Sequence, residues 1–589
     1  MPMLGAEVRE SETEFRVWAP FAEKMTLRLL RRDGSREDIA MRRTQDGEFQ
    51  LLANAAAGEK YFYLINDDPL QLPDPVSRFL PDGVHGPSGI VDPKSFQWTD
   101  QNWRGIPYSE YVYYELHVGT FTPQGMFDSA IEKLDYLKEL GITAIEIMPV
   151  AAFPGKRNWG YDGVSMYAVQ ESYGGPDGLK RLVNAAHQKG IAVTLDVVYN
   201  HLGNEGNYLG KFGPYFTDKH QTPWGNAINY DDDCCRKVRD YVIENALYWI
   251  REYHIDGLRL DAVQTIKDDS PVHLLAELRD RVRQSAAEAG REVTIVAETD
   301  ENSPRYVRSR AQGGFGLNGV WSDDFHHAAH ALFTGEQEGY YQDFGKAEQL
   351  AKALSEGFVF QGETFHFWGR PRGEKAGDMP LEAHVICIQN HDQVGNRALG
   401  DRLTTLVPRG VRKLLAALLL LAPETPLLWM GQEYDEKNPF QFFTDYADPA
   451  LQKAVSEGRR NEFKDFKSFG AEFPDPQDPA TFERSKLNWQ HTSKQREMLE
   501  WYRQLLCLRR KLYSADQPRR ARAEAPTATS IELRIPAENP EVIVHAKWTD
   551  APVREAVNWP RLLSSDGEGA RITISAAPAL ADNLRRLCA

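Results

Sequence analysis

The sequence predicts an α/β protein built on a TIM (β/α)8 barrel, flanked by an N-terminal β-sandwich and a C-terminal all-β domain. Three observations support this architecture. Short alternating segments open the chain, apolar strand-like segments then alternate with amphipathic helical segments, and short β-like segments return at the end. The 589 residues are 42% hydrophobic and 26% charged, which is ordinary for a folded globular protein and excludes a disordered or fibrous chain.

The first predicted domain, residues 1–107, is a β-sandwich followed by a connector. Between residues 14 and 65, the segments FRVWAP, MTLRLL, GEFQLLA and YFYLI are separated by turn residues, as is typical of a small antiparallel sandwich. The stretch 67–107 contains seven prolines and therefore holds no long regular element. We expect an ordered connector there and a domain boundary near residue 108.

The middle predicted domain, residues 108–514, is the barrel with short insertions. Helical segments with acidic starts and glycine ends, such as DGLKRLVNAAHQKG and RKVRDYVIENALYWIREY, separate the strands. The predicted strands are 112–118, 142–150, 191–198, 257–263, 293–298, 319–323, 383–389 and 426–430. A doubly wound open sheet is the structural alternative, but no glycine-rich phosphate loop follows the first strand.

The last predicted domain, residues 515–589, is all-β, since SIELRI, EVIVHAKW, REAVNW and RITIS are short β-like segments. The longest apolar run, 414–422, is followed by proline and is far shorter than the ~20 residues needed to span a bilayer. We therefore expect a buried helix there and no membrane partner.

The net charge limits the classes of binding partner, and the cysteine content indicates the cellular compartment. The net charge of −16 argues against nucleic acid as a partner. The five scattered cysteines form no framework and no zinc motif, and the N-terminus lacks a secretory pattern, so we expect a reducing, cytoplasmic location. These cysteines are Cys234, Cys235, Cys387, Cys507 and Cys588. No cofactor is predicted, and the sequence leaves the oligomeric state open.

Polar residues terminate five successive predicted strands, at the barrel face where active sites form. They are Asp196, Asn200 and His201 on the third strand, Arg259 and Asp261 on the fourth, Glu298 on the fifth, Asp323, Asp324 and His326 on the sixth, and His391 and Asp392 on the seventh. One such aspartate alone is more often a helix cap or a turn residue. Five together indicate a site rich in carboxylates.

The pattern favours glycoside hydrolysis, which needs one ionised and one protonated carboxyl group. Arg259 and Asp261 are two residues apart, so their side chains share one side of the strand and the cation favours an ionised Asp261. A purely structural Arg–Asp pair is the alternative. Glu298 follows the adjacent strand, and strands about 4.8 Å apart favour the short carboxyl separation of a retaining mechanism.

Metal catalysis is the main competing chemistry, and the spacing argues against it. His391 and Asp392 are sequence neighbours whose side chains would diverge from an extended strand, and neither HxH nor HExxH occurs. No metal is predicted. Aromatic side chains near the predicted rim suit sugar faces, although we expect half of them to serve ordinary packing. They are Trp159, Tyr161, Tyr199, Trp224, Tyr230, Trp321, Phe365 and Trp368.

The segments DVVYNH, GLRLDAV, VAETD and NHD, in this order on these strands, resemble the signature regions of the alpha-amylase superfamily of glycoside hydrolases. The resemblance implies that Asp261 is the nucleophile, Glu298 the general acid/base and Asp392 the transition-state stabiliser. It also implies a sugar subsite with a supporting aspartate and a stacking tyrosine, formed by Arg259, His201, His391, Asp196 and Tyr161. FRVWAPFAEKMTLRL is similar to the N-terminal β-domain of branching and debranching relatives.

Within the superfamily, further segments look most like the trehalohydrolase family. They are FPGKRNWGYDG, TPWGNAINYD, WSDDFHHAAHALFTGE, FHFWGRPRG and QNHDQVGNRALGDRL. This likeness implies cleavage of the α-1,4 bond beside the terminal trehalose of maltooligosyl trehalose, or of a related α-glucan. Four residues in these segments are also predicted to bind substrate, namely Asp323, Asp324, His326 and Gln393. Asn200 occupies the place of a calcium ligand in many alpha-amylases, but the segment after the third strand is short here, which argues against calcium.

Two alternative functions stay open. A glucan branching enzyme would use the same three carboxylates, but it would be expected to carry a second glutamate after the acid/base, where this chain has Thr299, and a different run where it has Gln393. A debranching hydrolase is a further variant of this alternative. A non-catalytic glucan-binding protein belongs to another class, and the intact carboxylate set argues against it.

Overall fold

Eight parallel strands close into a barrel in the computed structural model, which describes residues 4–10, 12–462, 473–513, 519–548 and 559–588. Consecutive strands are neighbours and the eighth pairs with the first. The barrel strands, first to eighth, are Tyr113–Leu116, Ala144–Ile147, Ala192–Val197, Gly257–Leu260, Thr294–Ala297, Gly319–Trp321, His384–Cys387 and Thr425–Trp429. Each overlaps its predicted segment, so the predicted barrel is confirmed.

The inside of the barrel changes from apolar to polar towards the C-terminal ends of the strands. Near the other end, inward side chains from several strands form an apolar layer that includes Ala144, Ala192 and Val296. Two residues further along the second and third strands stand Glu146 and Thr194, which pair in register. Because inward positions recur every second residue, the polar layer stands directly on the apolar one.

Helices surround the barrel. One of them, Arg409–Leu421, contains the buried residues 414–421, so the buried helix predicted from the apolar run is confirmed. The segment DSAIEKLDYLKEL, 128–140, whose pattern predicts one helix, instead forms parts of two shorter helices. The helices of five or more residues outside the catalytic cleft are Phe127–Ile131, Leu134–Leu140, Gly175–Gln188, Cys235–Glu252, Leu274–Ala289, Ala347–Glu356, Arg409–Leu421, Pro449–Glu462, Pro479–Arg484, Ser493–Leu512 and Pro578–Cys588. In the part of the chain that is described, no helix is both long and apolar enough to cross a membrane.

Two β-domains flank the barrel, as predicted. The N-terminal sandwich pairs Gly5–Arg9, Glu12–Trp18, Glu48–Ala53 and Arg42–Arg43 in one sheet and Arg36–Ala40, Met25–Leu30, Lys60–Ile65 and Ser88–Gly89 in the other. The C-terminal antiparallel sheet contains Arg522–Thr527, Ser530–Ile535, Val542–Lys547, Ala570–Ala576 and Arg561–Gly567. This domain also ends in helix Pro578–Cys588, which an all-β prediction missed.

Two of the sequence predictions concern one C-terminal strand and the cysteines. The predicted strand at 554–559 falls outside the described residues except for its last position. The domain boundaries stay predictions. Cys234, Cys235 and Cys387 are free, whereas Cys507 forms a disulfide bond. This bond counts against the cysteine argument for a reducing compartment, and the cytoplasmic location stays a prediction.

Candidate active site

The fourth and fifth barrel strands bring Asp261 and Glu298 to equivalent positions. Leu260 and Ala297 pair in register, and each carboxylate residue follows its strand by one position. The backbone N–H of Asp261 donates to the carbonyl of Val197 at 3.1 Å, and that of Glu298 donates to the carbonyl of Leu260 at 2.9 Å. The two side chains therefore emerge side by side at the C-terminal end of the barrel, where sequence analysis expected them.

Arg259 is the centre of the carboxylate cluster and is completely buried. Its Nη1 donates to Asp261 Oδ1 at 2.7 Å and to Asp196 Oδ2 at 3.0 Å, and its Nη2 lies 3.7 Å from Glu298 Oε2. The guanidinium carbon is 4.4 Å from the ring centroid of Trp321, which supports the cation from below. One cation thus contacts three carboxyl groups, and Asp261 is the nearest of them.

Glu298 stands in a different electrostatic environment from Asp261. Burial raises the pKa of Glu298 to about 8, because the attraction of Arg259 is offset by Asp261 and other nearby carboxylates. Its Oε2 accepts the backbone N–H of Ala262 at 2.6 Å. Ala262 has a φ of 39°, a left-handed conformation that costs a non-glycine residue free energy. Glu298 is therefore a protonated acid at neutral pH.

A hydrogen-bonded chain through His391 links the first, third and seventh strands. His391 Nδ1 contacts Glu115 Oε1, and its backbone N–H donates to the same carboxylate at 3.1 Å. Nε2 lies 2.8 Å from the hydroxyl of Tyr161, which in turn donates to Asp196 Oδ2 at 2.6 Å. Burial alone would lower the pKa of His391, but Asp392 and Glu115 raise it to about 9. The imidazole therefore carries a positive charge at neutral pH.

His391 and Asp392 do not diverge, so that step of the argument against a metal was wrong. They begin helix His391–Gly395, whose N-cap Asn390 accepts the backbone N–H of Gln393 at 2.8 Å. The helical first turn places Asp392 Oδ1 3.5 Å from His391 Nε2. A strand would have sent neighbouring side chains to opposite faces, whereas the start of a helix lets both reach one cleft.

Tyr161 and His201 line the site beside Asp196. The Tyr161 ring stacks on the imidazole of His391, with centroids 5.2 Å apart. His201 Nε2 lies 3.0 Å from the Tyr161 carbonyl oxygen, and its ring stacks on Trp224 at 4.1 Å. Trp224 is 47% exposed, so one aromatic face stays accessible next to the cluster. Burial raises the pKa of Asp196 to about 6.

Asp392, Asp323 and Gln393 line one cleft of about 200 Å³. Burial raises the pKa of Asp323 to about 7, so both its protonated and its ionised forms are populated near neutral pH. The cleft is also lined by Asp300, His327, Tyr340, Phe365, Phe367, Trp368, Arg372 and Asn396. Flat rings beside polar groups are the surface that a sugar ring binds best.

Asp324 and His326 do not reach this cleft. Asp324 Oδ2 accepts the backbone N–H groups of Val359 and Phe360 at 2.7 and 3.0 Å. His326 is held between the Ile388 carbonyl and the Tyr341 hydroxyl, both at 3.0 Å. The sixth strand ends at Trp321, and helix Asp323–Thr334 follows. Successive helix residues point about 100° apart, so Asp323 and the residue four positions later face the cleft while these two anchor loops instead.

The sequence analysis missed one residue that lines the cleft and two acidic residues inside the barrel beneath it. His327 is the helical partner of Asp323 at i+4, and that spacing would have found it once the segment was treated as a helix. Glu115 and Glu146 stand inside apolar strands, where an isolated acid gives no signal. Of the predicted aromatic residues, Trp159, Tyr199 and Tyr230 are buried in the core and serve packing.

One group among the described residues has the geometry to hold a metal ion, and it does not include the carboxylates around Arg259. It consists of His220, Asp231 and Asp269. Lys219 Nζ is 2.8 Å from Asp231 Oδ2 and 3.9 Å from Asp269 Oδ2, so an ammonium already lies beside both carboxylates. The buried amide of Asn200 makes no hydrogen bond with the described residues. We derive no metal-dependent step from either feature.

Comparison with known families agrees with this geometry. Residues 90–224 match the model of the alpha amylase catalytic domain, and residues 3–72 match carbohydrate-binding module 48, the isoamylase N-terminal domain. The closed barrel and the arginine-centred carboxylates thus define a glycoside hydrolase of the alpha-amylase superfamily. The resemblance seen in the four signature segments is confirmed.

Similar proteins show to which family within the superfamily the chain belongs. The chain is 46% identical over 507 residues to the malto-oligosyltrehalose trehalohydrolase of Saccharolobus solfataricus, and 46% identical over 518 residues to the one of a Rhizobium species, with 86% of each chain covered. A crystal structure of a putative alpha amylase from Salmonella typhimurium is 41% identical, with a TM-score of 0.88 over 98% of this chain and 99% of that one. The protein belongs to the malto-oligosyltrehalose trehalohydrolase family.

Proposed function

We propose that this protein is a retaining glycoside hydrolase that cleaves the α-1,4-glucosidic bond next to the terminal trehalose of maltooligosyl trehalose. The products are trehalose and a shortened maltooligosaccharide. Family membership and the names of the relatives support the substrate. The observation that carries the reaction type is the pair Asp261 and Glu298 at equivalent strand positions on one guanidinium.

In the first step, an Asp261 carboxylate oxygen attacks the anomeric carbon of the sugar before the trehalose unit. The bond from that carbon to the bridging oxygen breaks, and Glu298 gives its proton to this oxygen, so trehalose leaves as a neutral molecule. The remaining maltooligosyl chain is bound covalently to Asp261. The hydrogen bond from Arg259 to Asp261 and the raised pKa of Glu298 suit these opposite roles.

In the second step, the Glu298 carboxylate takes a proton from water, whose oxygen attacks the anomeric carbon and releases the Asp261 carboxylate. Two displacements at the same carbon return it to the α configuration. Asp392 and the charged imidazole of His391 bind the hydroxyl groups of the sugar being cleaved. Tyr161 offers its ring to this sugar, and Arg259, Asp196 and His201 hold the surrounding geometry.

Asp323 and Gln393 are proposed to contact the trehalose side of the bond, because they line the cleft next to Asp392. Their neutral or weakly charged groups suit hydroxyl donors and acceptors, and Trp368 and Phe365 supply apolar surface. Asp324 and His326 are not part of this proposal, since their polar atoms are engaged inside the protein.

The anomeric configuration of the first product tests this proposal. Trehalose has no free anomeric carbon, so the only new reducing end belongs to the maltooligosaccharide. Proton NMR of the fresh reaction is expected to show the α anomer first, with the β anomer growing later by mutarotation. A β anomer appearing first would indicate an inverting enzyme and contradict the role given to Asp261.

The pH profile tests the role of Glu298 separately. A general acid works only when protonated, and the pKa of Glu298 is raised to about 8. The kcat/KM is therefore expected to be maximal below this value and to fall as pH rises through it. Initial rates of trehalose release, measured across the pH range, determine where this decrease in kcat/KM occurs. A decline centred near the ordinary glutamate pKa of about 4.3 would contradict the assignment.

A further inference from the structure

A second acidic side chain is buried inside the barrel beneath the candidate active site. Glu146 stands in the middle of the second barrel strand, in register with Glu115 on the first strand and Thr194 on the third. It is 1% exposed, and neither carboxyl oxygen has a hydrogen-bond partner among the described residues. The mechanism proposed above does not use this group.

If Glu146 were ionised, its carboxylate would have no hydrogen-bond donor among the described residues. Removing such a charge from water costs several kcal/mol unless donors or a cation replace the lost hydration. Arg259 Nη1 donates to Asp196 and Asp261, and the His391 imidazole contacts Glu115. Neither cation makes a hydrogen bond with Glu146. Burial and the charge of Glu115 raise the pKa of Glu146 well above its ordinary value, in agreement with this argument.

The titratable and charged groups near Glu146 lie on four barrel strands and just after the last of these strands. They are Tyr113 and Glu115 on the first strand, Asp196 on the third, Arg259 on the fourth, Cys387 on the seventh, and His391 after it. Two of them, Glu115 and Asp196, are acids. Like-charged acids that share a buried space cannot all ionise, so one of them keeps a proton.

We propose that Glu146 is a positioning residue: a neutral carboxylic acid that donates its proton in a hydrogen bond to Glu115 and so holds the Glu115 carboxylate against His391. The role in catalysis rests on the proposed function. Neighbouring parallel strands are about 4.8 Å apart, and paired residues project to the same side, which brings the two carboxyl groups together. A proton on Glu146 supplies the donor for this hydrogen bond.

The effect reaches the cleft through a short chain of contacts. Glu115 accepts the side chain and backbone N–H groups of His391, and His391 Nε2 contacts the Tyr161 hydroxyl. Removing the donor from Glu146 would leave the Glu115 carboxylate free to rotate away from its contact with His391. The orientation of His391 would then be less fixed, although Glu146 itself touches no substrate.

Two substitutions separate this role from simple space filling. Glu146→Gln keeps the shape and an N–H donor, so kcat/KM is expected to stay within about twofold of the parent enzyme, with an unchanged pH profile. Glu146→Leu removes the donor and is expected to lower kcat/KM several-fold, chiefly through KM, because His391 is held less firmly. In a Glu115→Gln background, Glu146→Leu is expected to add little, because the bond is already altered.

Infrared spectroscopy tests the protonation state without any substrate, and so independently of the proposed function. The parent enzyme at neutral pH is expected to show a carbonyl-stretch band of a protonated, buried carboxylic acid that disappears in Glu146→Gln. This comparison also stands if Glu146→Leu does not fold. Absence of that band, a shifted pH profile in Glu146→Gln, or parental kcat/KM and KM in a folded Glu146→Leu would each overturn the proposal.

Discussion

Replacing Glu298 with Gln is expected to lower kcat on maltooligosyl trehalose by about 10²–10⁴-fold, with KM nearly unchanged. The amide keeps the size of the side chain and can still accept the N–H of Ala262, but it has no proton to give to the leaving oxygen. Steady-state kinetics of trehalose release measure both constants. An aryl α-maltoside, whose leaving group needs no proton, is expected to retain a fast first step and to accumulate a glycosyl-enzyme.

The matched control is Glu301→Gln. Glu301 lies three residues away and accepts the hydroxyl of Tyr306 at 2.7 Å, and it does not line the cleft. This variant is expected to keep the parental kcat. A parental rate in Glu298→Gln would remove Glu298 as the acid/base. Equal, very low rates in the parent and in Glu298→Gln would instead favour the non-catalytic glucan-binding alternative.

Replacing Arg259 with Met is expected to cost about 3–5 kcal/mol in the free energy of unfolding and to abolish turnover. The guanidinium is completely buried and donates to Asp196 and Asp261, so its loss leaves those charges without a partner. The nucleophile Asp261 would also lose the hydrogen bond from Arg259 that orients its Oδ1. Urea unfolding followed by circular dichroism measures the stability, and trehalose release measures the activity.

The loss of stability in Arg259→Met is expected to depend on pH. Carboxylates protonate as pH falls, so the unpaired charges disappear and the difference from the parent shrinks in acid. Arg251→Met is the matched control, because Arg251 is 54% exposed on helix Cys235–Glu252. That variant is expected to change stability little. A folded, active Arg259→Met with parental stability would contradict the central role given to this arginine.

Much of this site is visible in the sequence because its parts are local. Each carboxylate follows a short apolar strand, and in a barrel all strands end at one face. Asp196, Arg259, Asp261 and Glu298 could therefore be assigned to one region before any coordinates. The spacing of Arg259 and Asp261 also predicted their contact, which measures 2.7 Å.

The rest depends on tertiary geometry that spacing does not encode. The turn from the sixth strand into helix Asp323–Thr334 rotates Asp324 and His326 away from the cleft. The support of Arg259 by Trp321 and the hold of Glu115 on His391 join residues distant in sequence. The raised pKa of Glu298 results from burial among several strands, and no single segment predicts it.

The specificity for a particular leaving group is even harder to predict from sequence patterns than the positions of the carboxylates. The cleft beside Asp392 is built from loops and helices after the fifth, sixth and seventh strands. Its aromatic rings suit any sugar, and the spacing of its polar groups is set by how these segments pack. The specificity for a trehalose end therefore rests on family likeness together with this cleft, and it calls for a direct measurement.

That measurement is a comparison of products from two substrates of equal length, maltooligosyl trehalose and the unmodified maltooligosaccharide, resolved by chromatography after incubation with the purified protein. We expect trehalose as the main product of the first, with the second cleaved much more slowly. Equal cleavage of both substrates, or products with new α-1,6 linkages, would contradict the trehalohydrolase function and indicate an amylase or a branching enzyme with the same carboxylates.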